Sequence, residues 1–146
     1  MSSSGEAARM KPATFALDTR LDVDTVPIID LELCSILLMR DARYPWVLAV
    51  PRVPGIVELT DLSRAQRAQL IEETTDVAGS LKAATRCEKV NVATLGNIVR
   101  QFHMHIVARD ADDDAWPGPV WGRHPATAYA PGVAEALVGR MQAALG

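Results

Sequence analysis

The chain has 146 residues, 49% hydrophobic and 23% charged, enough for one domain with its own core. A net charge of −3 excludes a global basic field toward nucleic acid or an anionic membrane, so neither is expected as a partner. The longest apolar stretches, such as Trp46–Val50, are too short to span a bilayer, and the first eleven residues lack the apolar core of a signal peptide; the expected location is the cytoplasm. Cys34 and Cys87 are far apart and have no zinc-type spacing with histidine, so two reduced thiols, no metal and no cofactor are expected.

In chain order, residues 1–12 read as a disordered tail and 13–146 as a single domain. Phe15–Leu17 reads as a short strand and Asp18–Asp24 as a polar loop. Leu33–Met39 and Trp46–Val50 are strand candidates, the second closed by Pro51, and Arg40–Pro45 is too long for a tight two-residue turn. Ser63, with Gln66 three residues on, forms a capping-box signature. Leu70, Ile71, Thr74, Val77, Ala78 and Leu81 then recur at helical spacing, so a long helix to about Thr85 buries one face. Lys89–Thr94 and Arg100–Arg109 read as a hairpin of strands around the turn signal Leu95-Gly96-Asn97. Asp110–Gly122, with four aspartates, reads as a solvated loop, and Val133–Ala144 as a last helix. The order implies an α+β domain on an antiparallel sheet of about five strands, with one long helix and a C-terminal helix.

Three histidines occur: His103, His105 and His124. Strand alternation sends Phe102, Met104, Ile106 and Ala108 toward a core and Gln101, His103 and His105 to the opposite face. On the residues alone, three readings stand: an exposed polar face, a metal site needing a third ligand the sequence does not clearly supply, and a catalytic pair handling phosphate. His124 lies outside this row and reads as a surface residue.

The run Gln101-Phe102-His103-Met104-His105-Ile106-Val107 resembles the signature of the histidine triad family, His-φ-His-φ-His-φ-φ with φ apolar, with glutamine in the first histidine slot. Leu37–Met39, Trp46–Arg52, Thr60–Ser63 and Asn91–Ala93 resemble other family segments, and Trp116–Gly122 resembles the tail of a bacterial branch; the likeness covers roughly residues 13 to 123. The resemblance implies a HIT-like fold, a homodimer and a metal-independent attack on the α-phosphorus of a purine nucleotide or nucleotide conjugate. His103 would be the nucleophile, passing through a covalent nucleotidyl intermediate, His105 the phosphate-polarising partner, and Gln101 an orienting group. A carbonyl accepting the second imidazole proton would fix the nucleophile's tautomer.

Asn91, Asn97, Arg109 and Trp116 are the candidate nucleotide contacts, although Arg100 and Arg109 also read as surface charges and Trp116 and Trp121 as a lid over the sheet edge. Three features depart from the family pattern. Gln101 cannot change protonation near neutral pH. Leu95–Arg100 is shorter than the usual glycine-rich loop and lacks its Gly-Gln-Ser/Thr step. Arg40 stands near where many members carry a ribose-binding asparagine. The galactose-1-phosphate uridylyltransferase branch has its glutamine at the third position, so that activity is not carried over. A nucleotide-binding module with little turnover, or an interaction protein keeping only the scaffold, are the alternatives.

Overall fold

A computed structural model describes residues 14–146, so the expected tail over 1–12 and the start of the domain at 13 lie outside the described residues. Five strands, β1 (Thr25–Asp30), β2 (Cys34–Met39), β3 (Trp46–Pro51), β4 (Lys89–Ala93) and β5 (Met104–Arg109), form one antiparallel sheet in the order β1-β2-β3-β5-β4. Three α-helices accompany it among the described residues: α1 (Thr19–Asp24), α2 (Arg64–Thr85) and α3 (Val133–Leu145). The α+β class, the β2–β3 and β4–β5 pairings and both expected helices are as the sequence suggests.

The alternation of apolar residues makes two cores, one on each face of the sheet. Ile36 and Leu38 of β2, Val47 and Ala49 of β3, and Met104, Ile106 and Ala108 of β5 pack under Leu70, Val77 and Leu81 of α2 and Leu137 and Met141 of α3. Each Val, Leu, Ile or Met side chain among them, fully buried, contributes about 1.5–3 kcal/mol. The opposite residues, Leu37, Trp46, Leu48, Val50 and Val107, pack with Leu21 of α1, Tyr44, and Ala115 and Val120 of the segment after β5. The polar-face reading of the histidine strand is therefore overturned: the second face is covered, and both His103 and His105 are buried.

Helix α2 starts where its cap demands. Ser63 Oγ accepts from the Gln66 amide at 3.1 Å and Gln66 Oε1 accepts from the Ser63 amide at 2.8 Å, satisfying two N–H groups the helix leaves free. Its buried stripe is Leu70, Glu73, Thr74, Val77 and Leu81, while Ile71 lies outside it and is exposed. Glu73 is buried because its carboxylate accepts from the amides of Leu33 and Cys34 and from Gln69 Nε2, tying α2 to the β1–β2 turn. Burial beside Glu73 pushes the Cys34 thiol up to about 12, so it stays protonated.

The N-terminal expectations need correction. Phe15–Leu17 is not a strand; its apolar side chains pack on the second core while its backbone lies outside the sheet. Asp18–Asp24 is not a loop: Asp18 accepts from the Arg20 amide and caps α1. The first strand is β1, whose Pro27 masks it in sequence and is tolerated because β1 is an edge strand. β5 begins at Met104 rather than Arg100, because the Phe102 amide donates to Ile56 O instead of to a neighbouring strand.

Candidate active site

The site forms where the chain enters β5. Phe102, held in the first core, and the Thr94 hydroxyl, donating to His103 O at 2.8 Å, fix the backbone around His103. His103 and His105 then face the second side with ring centroids 4.8 Å apart. They line a cavity of about 560 Å³, within the range of small-molecule sites. Its walls are largely apolar, with Leu21, Met39, Leu48, Val99 and Val120, and charged groups Asp24, Arg40, Asp41, Arg43 and Arg123 also line it.

Two hydrogen bonds define the imidazoles. His103 Nδ1 lies 2.7 Å from Gln101 O. A carbonyl only accepts, so Nδ1 carries a proton, and in the neutral ring the lone pair is then on Nε2. Trp46 Nε1 lies 3.0 Å from His105 Nδ1, and an indole N–H only donates. His105 sits among Trp46, Trp121 and His103, with centroid distances of 5.7, 5.2 and 4.8 Å. Burial, and then the proximity of His103, push the His105 pKa from 6.5 down to about 3, so it is neutral at physiological pH.

Gln101 lies one step before His103, but its side chain turns to the N-terminal segment. Its Nε2 donates to Ala16 O and its Oε1 accepts from the Asp18 amide, both at 2.8 Å. What it offers His103 is its backbone carbonyl. Of the nucleotide-contact candidates, Asn97 lines the cavity, beside Leu95, Gly96 and Ile98. Asn91, Arg109 and Trp116 are brought together elsewhere, at the far end of β5. Arg109 is only 2% exposed and donates to Asp113, to Asn91 Oδ1 and to Gly118 O, with its guanidinium 5.7 Å from the Trp116 ring centroid. Asp113 also accepts from the amides of Asp110, Ala115 and Trp116, so one of the four aspartates organises its loop from inside rather than facing water.

Sequence reasoning missed several residues. Trp46 reads as an ordinary strand residue until β3 pairs with β5, with Leu48 opposite His105 and Trp46 opposite Val107; Trp46 is then diagonal to His105 on the same face. Asp41 and Arg43 read as hairpin-loop charges. In the structure they form a bidentate pair at 3.0 and 2.8 Å, Asp41 accepts from the Thr127 amide, and Arg43 donates to Arg123 O. These bonds fasten the segment carrying Trp121, Arg123 and His124 over the cavity, so His124 is exposed yet at the cavity wall. Among the described residues, no three His, Cys, Asp or Glu side chains gather as a metal-binding group.

The family model of the HIT domain matches residues 20–112. The chain belongs to the histidine triad family. Three solved HIT structures resemble it over nearly their whole lengths. The histidine triad protein of Bradyrhizobium japonicum is 42% identical, with 92% of this chain and 100% of that one covered and a TM-score of 0.90. That of Sinorhizobium meliloti is 44% identical, covering 90% and 98%, with a TM-score of 0.88. That of Marinobacter aquaeolei is 38% identical, covering 91% and 97%, with a TM-score of 0.87. No curated protein matches the sequence. HIT proteins are in general nucleotide-binding hydrolases or transferases. No helix among the described residues is long and apolar enough to cross a membrane.

Proposed function

We propose that this HIT protein is a nucleotide hydrolase or nucleotidyl transferase acting at the α-phosphorus of a purine nucleotide conjugate through a nucleotidyl-His103 intermediate. The observation that carries this reading is the His103 Nδ1 to Gln101 O bond, which leaves Nε2 as an unprotonated nucleophile in a nucleotide-sized cavity. Nε2 attacks phosphorus, a P–N bond forms, and the leaving group departs with the electron pair of its bond. Water or another acceptor then attacks, the P–N bond breaks, its electrons return to Nε2, and the acceptor's proton passes to solvent. His105 donates to a non-bridging phosphate oxygen as negative charge grows there. Asn97 and the backbone of its turn contact the nucleotide, whereas Asn91, Arg109 and Trp116 shape the loop leading to Trp121.

The alternative, binding with little turnover, draws on Gln101: its amide is engaged with Ala16 and Asp18 and cannot supply a proton. A panel of adenylated and guanylated conjugates decides. Wild type should turn over, His103→Ala should lose about three orders of magnitude or more, and EDTA should leave the rate unchanged. Nucleotide binding without turnover would favour the alternative, and a near-normal His103→Ala rate would sink the mechanism. We also propose a cytoplasmic homodimer. The two free, buried cysteines fit a reducing compartment. The dimer rests on the β4 edge.

A further inference from the structure

We propose that Trp46 is a positioning residue that holds His105 as its Nε2–H tautomer, making that imidazole a donor and never a base. The inference rests on the function proposed above for its catalytic consequence, but not for its chemistry. A neutral imidazole carries one proton on either ring nitrogen, and the choice decides whether it gives or takes a hydrogen bond at the other. At His105 the choice is made from outside. The Trp46 indole N–H points at Nδ1 from 3.0 Å, and this N–H has no acceptor capacity. A proton on Nδ1 would set two donors against each other, so the proton resides on Nε2.

The surroundings reinforce the lock. Trp46 is buried and packed in the second core, and Trp121 stands edge-on to it with ring centroids 6.1 Å apart, so the indole has little freedom to turn away. The neutral ring is favoured as well, because burial and His103 push the basicity of His105 far down. An imidazolium would also have to break the indole bond, since both its nitrogens carry protons.

The neighbouring imidazole is set the other way. Gln101 O accepts from His103 Nδ1, so the neutral form of His103 presents its lone pair at Nε2. Two histidines with ring centroids 4.8 Å apart are thus held in opposite tautomers by two different partners, one a backbone carbonyl and one an indole. The pair divides into an attacking base and a donor to phosphate oxygen, and neither can exchange roles with the other while these bonds stand. Trp46 acts only through His105; it takes no part in bond making.

Two-bond ¹H–¹⁵N correlation spectra of the ¹⁵N-histidine-labelled full chain read the tautomers directly, without substrate. In wild type near pH 7, His105 should show a protonated Nε2 and a bare Nδ1, and His103 the reverse. In Trp46→Phe, which keeps an aromatic ring and removes the donor, His105 should acquire Nδ1–H population while His103 stays unchanged. For turnover of an adenylated conjugate, Trp46→Phe should lower kcat about three- to tenfold, the worth of one net hydrogen bond, with KM nearly constant. A merely structural Trp46 would change thermal stability and KM without moving the His105 tautomer. A wild-type His105 protonated at Nδ1 overturns the proposal without any variant. So does a folded Trp46→Phe protein with the wild-type tautomer and kcat. If no conjugate is turned over while His105 still reads Nε2–H and shifts in Trp46→Phe, the lock stands and the proposed function is what fails.

Discussion

At the residue scale the variant motif divides the work of one position between backbone and side chain. Gln101 fixes His103 through its carbonyl, while its amide group clamps Ala16 and Asp18. Neither contribution needs a proton to move, and His105 is a neutral N–H donor rather than an acid. Leaving groups should therefore depart with little protonation, and kcat/KM should fall steeply as leaving-group pKa rises. General-acid help, typically a factor of about 10² to 10⁴, is what poor leaving groups lack here. Gln101→Ala loosens the clamp but removes no acid. It should lower kcat/KM for every member of a leaving-group series by one common factor, leaving the slope unchanged. Gln101→His should flatten that slope, because only histidine can bring a proton in this pH range. If Gln101→Ala steepens the series, its side chain takes part in leaving-group departure and the clamp is not its whole role.

At the element scale the two sheet edges differ. β1 is guarded by Pro27, an irregularity in register between Pro27 and Ile29, and α3 packed beside it. β4 has no proline and bears the exposed Val92, followed by the exposed Leu95 and Ile98. An open edge next to apolar side chains is what a second copy can cover, so sedimentation should give twice the 15.8 kDa of one chain. Val92→Lys, on an exposed position, should give a folded monomer; a wild type that sediments as a monomer at micromolar concentration counts against the dimer. Elements with strong local signals were legible: the α2 cap is written in Ser63 and Gln66, and β2, β3 and β4 show their apolar or alternating runs. The histidine row was legible too, and the resemblance implied a carbonyl partner for His103, but not that Gln101 supplies it. What stayed hidden depends on pairing distant in sequence. Trp46 reaches His105 only through the β3–β5 register, Glu73 reaches Leu33 and Cys34 only once α2 lies on the sheet, and Arg109 is buried only because Asp113 and Asn91 meet it. β1 escaped because its proline looks like a breaker until the strand's place at the edge is known.

At the scale of the whole molecule, the buried His105 couples the site to the stability of the fold. Its pKa is depressed from 6.5 to about 3, so the unfolded chain binds a proton there that the folded protein refuses. The sign follows: its contribution is complete above about pH 6.5 and is lost as pH falls from there toward 3. Within that window the slope approaches about 1.4 kcal/mol per pH unit, or about 2 kcal/mol between pH 7 and pH 5. The carboxyls of Asp18, Asp41 and Asp113 are held below their ordinary 3.8 by hydrogen bonds, chiefly the Arg20 amide for Asp18, and the Arg43 and Arg109 side chains, acting against burial, for Asp41 and Asp113. What they add is present above 3.8 and is lost only at lower pH, so of these shifted groups His105 alone acts in the interval from pH 7 to 5. Denaturant unfolding of wild type and His105→Asn across that interval, at fixed protein concentration, isolates the one group. The wild-type stability should drop faster with falling pH, and the difference between the two proteins should shrink by about 2 kcal/mol from pH 7 to pH 5. A difference constant over that interval would mean that His105 accepts a proton in the folded protein as readily as in the unfolded chain, and that the indole and the burial around it do not hold it neutral.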